Sequence, residues 1–318
     1  MSQPAIDEDD PSYYPPSFVV QPVSGTHKAT IICLHGRGDN GKHFGQLFLL
    51  AMGISTDDTG TKPSIYDSET PLFTALQSDL RDTKFVFPTA SRRPVKAFKN
   101  IPQHQWFDIL SIKDQEREVE VQYEGLRETT LNVHGLLRES IAEVGADNVA
   151  LWGLSQGCAS ALIATLLWEG KPFKACVGMC GWLPLRKGMS DHTAAAKADM
   201  EDDDLRTYKG SEANMALDSQ QSTPLQTARN YLTDILNLPP GSDASMSNPL
   251  EASLLSIPIF LGHGLLDDKV PITLHAEAAT LLGRLGFSIE WKQYMNLGHW
   301  YSQSMLADIA SFTRKQTK

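Results

Sequence analysis

From residue 17 onward, short apolar runs alternate with stretches of helical periodicity. Ser17–Gln21 and Ala29–Leu34 are rich in β-branched, apolar residues and read as strands. Phe44–Met52 has the spacing of a helix entry, and Lys84–Phe87 is a strand closed by Pro88. Tyr123–Val144 is the longest helical pattern. Asn148–Trp152 is an apolar strand with a helix over Gln156–Trp168 behind it. Ala175–Cys180 and Ile257–Leu261 follow as strands, Thr273–Leu285 as a helix, Ser288–Tyr294 as a strand and Tyr301–Phe312 as a closing helix. Strands apolar on both faces and separated by helices predict βαβ units. The fold class expected is α/β, with a mostly parallel central sheet and helices on both faces.

Three stretches break this rhythm. Residues 1–16 are acidic and Pro-rich and predict a flexible tail, which leaves 17–318 as a single domain. Gly53–Thr70 is polar and turn-rich. Lys187–Asn248 is a long polar insert with an acidic run at Met200–Leu205 and an amphipathic helix at Leu225–Leu236. The insert leaves the sheet after the strand Ala175–Cys180. It is therefore expected to emerge beside the site and to act as a cap through Leu225–Leu236, with Met200–Leu205 solvated; its polar, Ser- and Asp-rich composition leaves a disordered loop in solvent as the alternative.

Composition narrows the function classes. The chain has 318 residues, 41% hydrophobic and 21% charged, as expected of a soluble globular protein with one substantial core. A net charge of −10 argues against a nucleic-acid partner, which requires clustered Lys and Arg. Cys33, Cys158, Cys176 and Cys180 have no metal-ligand spacing and lie mostly in apolar runs; they read as buried free thiols, consistent with a reducing compartment. The N-terminus has neither a basic nor an apolar region of a secretory signal, and no apolar run is long enough to span a membrane, so the cytoplasm is the expected location.

The chemistry is concentrated at strand ends. Gly153-Leu154-Ser155-Gln156-Gly157 is a G-x-S-x-G between an apolar strand and a helix, the context of a nucleophile elbow. Ser155 is the candidate nucleophile, and the Gln156 amide, at a helix N-terminus, is a candidate oxyanion donor. His35-Gly36-Arg37-Gly38 follows the strand Ala29–Leu34, and the Arg37 amide is the candidate second donor. A serine needs a base, and the base needs a group that holds its tautomer, in the chain order serine, acid, histidine. After Ser155, Asp267 and Asp268 lie on the loop leaving Ile257–Leu261, and His299 lies between the last strand and the closing helix. Of the nine histidines, His299 alone combines that order with a loop at a strand end. His263 is expected to order its loop, and His275 falls in a helical pattern.

With these residues in hand, the chain resembles the acyl-protein thioesterase and lysophospholipase family of small carboxylesterases, α/β-hydrolases. The likeness runs through Leu34–Asp39, Gln105–Ile109, Gly153–Gly157, Gly181–Arg186, His263–Pro271 and Gly298-His299. It implies a triad of Ser155, Asp267 and His299, Asp267 being chosen over Asp268 by the family's His-Gly-x-x-Asp. It implies oxyanion amides at Arg37 and Gln156, and Trp106, Trp182 and Leu183 on the substrate side. It further implies an ester or thioester hydrolase that needs no cofactor or metal. The family's best-known substrate is a long acyl chain on a protein cysteine; small esters and lysophospholipids are the alternatives, and a binding protein that has lost catalysis is a further one. This chain is longer than the compact form of the family, and it carries Arg37 where a hydrophobic residue is common and Cys158 where glycine is common.

Overall fold

The computed structural model describes residues 10–56, 64–65, 80–195, 222–239 and 249–316. Seven strands form one sheet: β1 (Phe18–Val20), β2 (Ala29–Leu34), β3 (Thr83–Phe87), β4 (Val149–Leu154), β5 (Ala175–Met179), β6 (Ile259–Gly264) and β7 (Ile289–Tyr294). Their spatial order is β1-β3-β2-β4-β5-β6-β7, parallel throughout except that β1 runs antiparallel to β3. The register aligns the carboxyl ends. Leu34 lies opposite Gly153, Leu154 opposite Met179, Met179 opposite Gly262, and Gly264 opposite Tyr294. The loops after β2, β4, β5, β6 and β7 therefore leave the same edge, and every candidate catalytic residue lies on one of them.

β4 and β5 are buried at every position, so their unbroken apolar runs are the signature of strands covered on both faces. The helices include α1 (Gly41–Ala51), α2 (Tyr123–Val144), α3 (Gln156–Leu166), α4 (Pro224–Ile235), α5 (Ile272–Arg284) and α6 (Gln303–Lys315), with a shorter one at Pro249–Leu255 and helical backbone over residues 186–195. One apolar cluster packs α2, α3, α4 and α5 on one face of the sheet; the other packs α1 and α6 on the opposite face. α1 begins before its apolar run because Asn40 caps it, with Oδ1 accepting the His43 amide at 2.9 Å.

Three expectations change. The hairpin Arg92–Val95 with Ile101–His104 was hidden in the sequence by Pro94 and Pro102, which face one another across it. The tail is held from Pro11 onward rather than from residue 17: Arg93 donates to Pro11 O at 3.0 Å, and Tyr14 Oη lies 3.1 Å from Thr129 Oγ1. Residues 1–9 and Met200–Leu205 lie outside the described residues.

The third change concerns the insert. Its helix α4 forms as expected, capped by Thr223, whose Oγ1 accepts the Gln226 amide at 3.1 Å. The buried face of Leu225, Ala228 and Leu232 packs into the same cluster as α3. Arg229 reaches the far end of α3 and donates to Leu166 O at 2.6 Å and Trp168 O at 3.2 Å. This helix therefore braces the C-terminus of α3 instead of capping the cleft at its N-terminus. The last carbonyls of a helix have no internal partners, and a cation there also meets the negative end of the helix dipole.

His134 completes the same arrangement from α2. Its Nε2–H donates to Ala164 O at 2.8 Å, and its ring packs edge-on against Trp168. Burial lowers the His134 pKa to about 4, and burial likewise lowers that of His35 to about 4. Both folded-state values lie below that of an unfolded histidine, so the unfolded chain binds the extra protons. Their contribution to stability is present above about pH 6.5 and is lost as pH falls toward 4. Each should remove about 2 kcal/mol by pH 5. Buried His275 adds to the same decline. Urea denaturation at pH 7 and pH 5 is expected to show it, and His134→Gln, which keeps the donor to Ala164 O, should lessen it by about 2 kcal/mol. An equal decline in the variant would exclude His134 as a source.

Candidate active site

The elbow is built by close backbone approach. Ser155 sits between β4 and α3 at φ 57° and ψ −118°, a conformation few non-glycine residues adopt. Its amide donates to Met179 O at 2.8 Å. A Cβ on Gly153 would collide with the backbone of Gly157, and a Cβ on Gly157 would collide with the carbonyls of Leu34 and His35. The two glycines thus let the turn fold on itself and seat α3 directly against the end of β2.

Ser155, Asp267 and His299 meet although they come from three separate loops. His299 Nε2 lies 2.8 Å from Ser155 Oγ, and His299 Nδ1 lies 2.7 Å from Asp267 Oδ2. Asp267 Oδ1 accepts the amides of Lys269 and Val270, each at 2.9 Å. Burial of this carboxyl would raise its pKa, but hydrogen bonds from His263, His299 and the Val270 amide outweigh burial and hold it well below the usual carboxylate range. Its neighbour Asp268 turns outward and pairs with Lys269 at 3.1 Å, the side chains 73% and 65% exposed. Geometry therefore separates the two acids that the sequence barely distinguishes.

The expected oxyanion loop follows β2. Gly36 is so near the elbow that a Cβ there would stand 3.5 Å from Ser155 Cβ, which brings the Arg37 segment to Ser155. Gln156 is the first residue of α3, where amides lack helical partners. His35 is buried and holds this loop: Nδ1–H donates to Gly36 O at 2.7 Å, and Nε2 accepts the Ala90 amide at 3.0 Å. The Gln156 side chain accepts the Trp106 amide at 3.0 Å and donates to Phe107 O at 2.6 Å.

A cleft of about 250 Å³ opens at Ser155, its walls including Arg37, Ile109, Ile112, Trp182, Lys269 and Trp300. Of the three residues expected on the substrate side, Trp182 is in this wall. Trp106 and Leu183 are not. Trp106 lies fully buried beneath the loop, its Nε1–H donating to His35 O at 2.8 Å, and Leu183 is in the core. The sequence reading missed Ile109 and Ile112, although Ile109 ends the stretch Gln105–Ile109 that carries part of the family likeness. Among the described residues Cys180, His263 and Asp267 place ligand-type atoms within 4.8 Å of one another. Each is already engaged: Cys180 Sγ donates to Trp300 O at 3.2 Å, and His263 Nε2 faces Val270 O and Asp267 Oδ2. All four cysteines are buried free thiols, and burial pushes those of Cys176 and Cys180 up to about 12.

Comparison with known proteins agrees with this architecture. Residues 67–203 and 213–317 match the phospholipase/carboxylesterase family. The chain is 22% identical over 301 residues to acyl-protein thioesterase 1 of Gibberella zeae, covering 94% of each. It is 28% identical over 166 residues to the protein of the same name in Yarrowia lipolytica, covering 52% of this chain and 62% of that one. The solved structure of acyl-protein thioesterase 2 from Zea mays shares the fold, with a TM-score of 0.61 at 23% identity over 95% of this chain and 99% of that one. Among the described residues no helix is long and apolar enough to cross a membrane.

The close approach at the elbow makes a stability prediction. Gly157→Ala must push α3 off Leu34 and should lose about 3 kcal/mol or more in urea denaturation. Gly135, in α2, has open space around its Cβ position, so Gly135→Ala should gain up to about 1 kcal/mol from helix propensity. Equal effects at the two sites would show that the elbow is not sterically limited.

Proposed function

The chain belongs to the phospholipase/carboxylesterase family, and from that premise we propose that it is a serine hydrolase of carboxylic esters and thioesters with Ser155 as nucleophile, His299 as general base and Asp267 as the orienting acid. The observation that carries this reading is the hydrogen-bonded line from Ser155 Oγ through His299 to Asp267 Oδ2, at 2.8 and 2.7 Å. His299 Nδ1–H donates to the carboxylate, which leaves Nε2 as the acceptor of the Ser155 hydroxyl proton. As Ser155 Oγ bonds to the acyl carbon, that proton passes to His299 Nε2, and Asp267 stabilises the imidazolium. The amides of Arg37 and Gln156 receive the developing oxyanion. His299 then protonates the departing alcohol or thiol, and a water activated by the same nitrogen releases the acid.

The cleft supports an acyl substrate, since Ile109, Ile112, Leu154, Trp182 and Trp300 make much of its wall apolar. The names of the relatives point to acyl groups on proteins. A second reading, a carboxylesterase for short acyl groups, is favoured by the cleft's volume of about 250 Å³, which is below the ~300–1,000 Å³ usual for ligand pockets.

Two measurements test the assignment. A fluorophosphonate probe should label Ser155 alone, and Ser155→Ala should lose about 10⁴-fold or more in kcat while keeping its fold. Labelling elsewhere, or an active alanine variant, would sink the assignment. A panel of p-nitrophenyl esters of rising chain length, a palmitoyl thioester and a lysophospholipid separates the two readings by the acyl length at which kcat/KM peaks. Asp267→Asn should slow turnover by about 10³–10⁴-fold by leaving His299 in the wrong tautomer. Asp268→Asn should stay within about twofold. The reverse order would transfer the role to Asp268.

A further inference from the structure

The hydrogen-bond chain does not end at Asp267. The oxygen that receives His299, Asp267 Oδ2, also lies 3.1 Å from His263 Nε2. That nitrogen is 3.0 Å from Val270 O as well. Two acceptors converge on it, so the proton of a neutral His263 sits on Nε2 and its Nδ1 carries a lone pair. Nδ1 lies 2.6 Å from Nδ1 of His275, on α5. Two lone pairs cannot face one another at that distance, so His275 holds its proton on Nδ1 and donates it to His263. His275 Nε2 is then a bare, buried acceptor, and among the described residues it has no partner. Both rings are 0% exposed and lie against Trp291.

Resting on the reading of Asp267 as the orienting acid, we propose that His263 and His275 are positioning residues that form a neutral strut behind Asp267, in which His275 prevents His263 from taking up a proton. The carboxylate is gripped at both oxygens, by two amides on Oδ1 and two imidazoles on Oδ2, so it cannot turn away from His299 without breaking several hydrogen bonds. Neutrality is the second requirement. A cationic His263 in contact with Asp267 would cancel the charge that stabilises imidazolium at His299. Protonating His263 at Nδ1 would set two N–H groups against each other across 2.6 Å. His275 cannot relieve that clash by becoming the acceptor unless it moves its own proton to Nε2, where no partner awaits it. Burial keeps His275 itself neutral, holding it well below the ordinary imidazole range.

The titratable groups that face the pair are Asp267 from the loop after β6, Cys180 from the end of β5 and, across Asp267, His299 from the loop after β7. Trp291 of β7 packs on the rings and carries no charge. The Cys180 thiol is pushed up to about 12 by burial and stays protonated throughout the working range. His263 and His299 are the two imidazoles in contact with Asp267, and the strut keeps His263 from becoming a second cation there.

The test is the pH dependence of kcat/KM, with the tautomers read by ¹⁵N NMR of histidine-labelled protein. In the wild type the acid limb should fall tenfold per pH unit, the slope for one proton. In His275→Leu, His263 is free to protonate, and the limb should steepen toward a hundredfold per unit, an extra factor of about ten for each further pH unit. KM should be unchanged, and activity should recover at pH 8–9. His275→Gln, whose amide can donate to His263 Nδ1, should restore the one-proton limb. His263→Gln, which can donate to Asp267 Oδ2 but cannot become charged, should show the same shallow limb even when combined with His275→Leu. A folded His275→Leu protein with an unchanged one-proton limb would overturn the proposal. If that variant does not fold, the wild-type spectrum decides: His263 must show a proton on Nε2 and none on Nδ1 down to pH 5.5, and a cationic or Nδ1–H His263 overturns the proposal. A wild type inactive on every ester would defeat the hydrolase reading instead, while the NMR result would still decide the state of the pair.

Discussion

The contact between the start of α3 and the end of β2, made possible by Gly157, sets the geometry of everything around Ser155. It brings backbone against backbone, with no room for a side chain between Gly157 and the carbonyls of Leu34 and His35. From that contact follow the strained backbone at Ser155, the placement of the Gln156 amide at a helix start and the closeness of the Gly36–Arg37 loop to Ser155. A strained turn persists only where its surroundings over-determine it. Here the Ser155 amide bonds across to Met179, and the Gln156 side chain pins the Trp106–Phe107 backbone.

α3 is also held at its other end. Its final carbonyls are buried, and such groups must find donors. His134 of α2 and Arg229 of α4 supply them. The insert thereby takes part in the site from a distance. Its helix α4 steadies the far end of the helix that begins beside Ser155 and contributes no residue to the cleft wall. An amphipathic helix settles where the most apolar area can be covered, and α3 with its neighbours Trp168 and Leu185 offers that area. Arg229, a charge in a polar insert, finds its role only once the end of α3 is beside it.

Behind Ser155 lies one buried carboxylate, Asp267, among imidazole rings. His35 is kept neutral by burial and orders the loop after β2; His275 is kept neutral by burial and orders His263. Asp267 retains its charge because donors on both oxygens outweigh the desolvation. Two buried histidines, His35 and His275, thus orient the backbone and the ring beside them, and neither hydrogen-bonds Ser155 or His299.

Most of the sheet was legible in the chain because buried parallel strands are continuous apolar runs, and the order of strands and helices restricts the topology. The elbow was legible because a tight strand-to-helix turn requires glycines on either side of the serine. His299 followed from its order and its strand-end loop. The choice of Asp267 over Asp268 needed the family pattern at the sequence level, since adjacent acids on a loop have no periodicity to separate them; the fold separates them by burying one among amides and imidazoles and leaving the other in solvent. The hairpin at Arg92–His104 escaped because its prolines suppress the strand signal. The partnership of His263 with His275, the burial of Trp106 and the destination of the insert's helix were decided by tertiary structure alone. Each depends on which surfaces meet across elements far apart in the chain, and local sequence, which specifies periodicity and turns, carries no record of what an element will pack against.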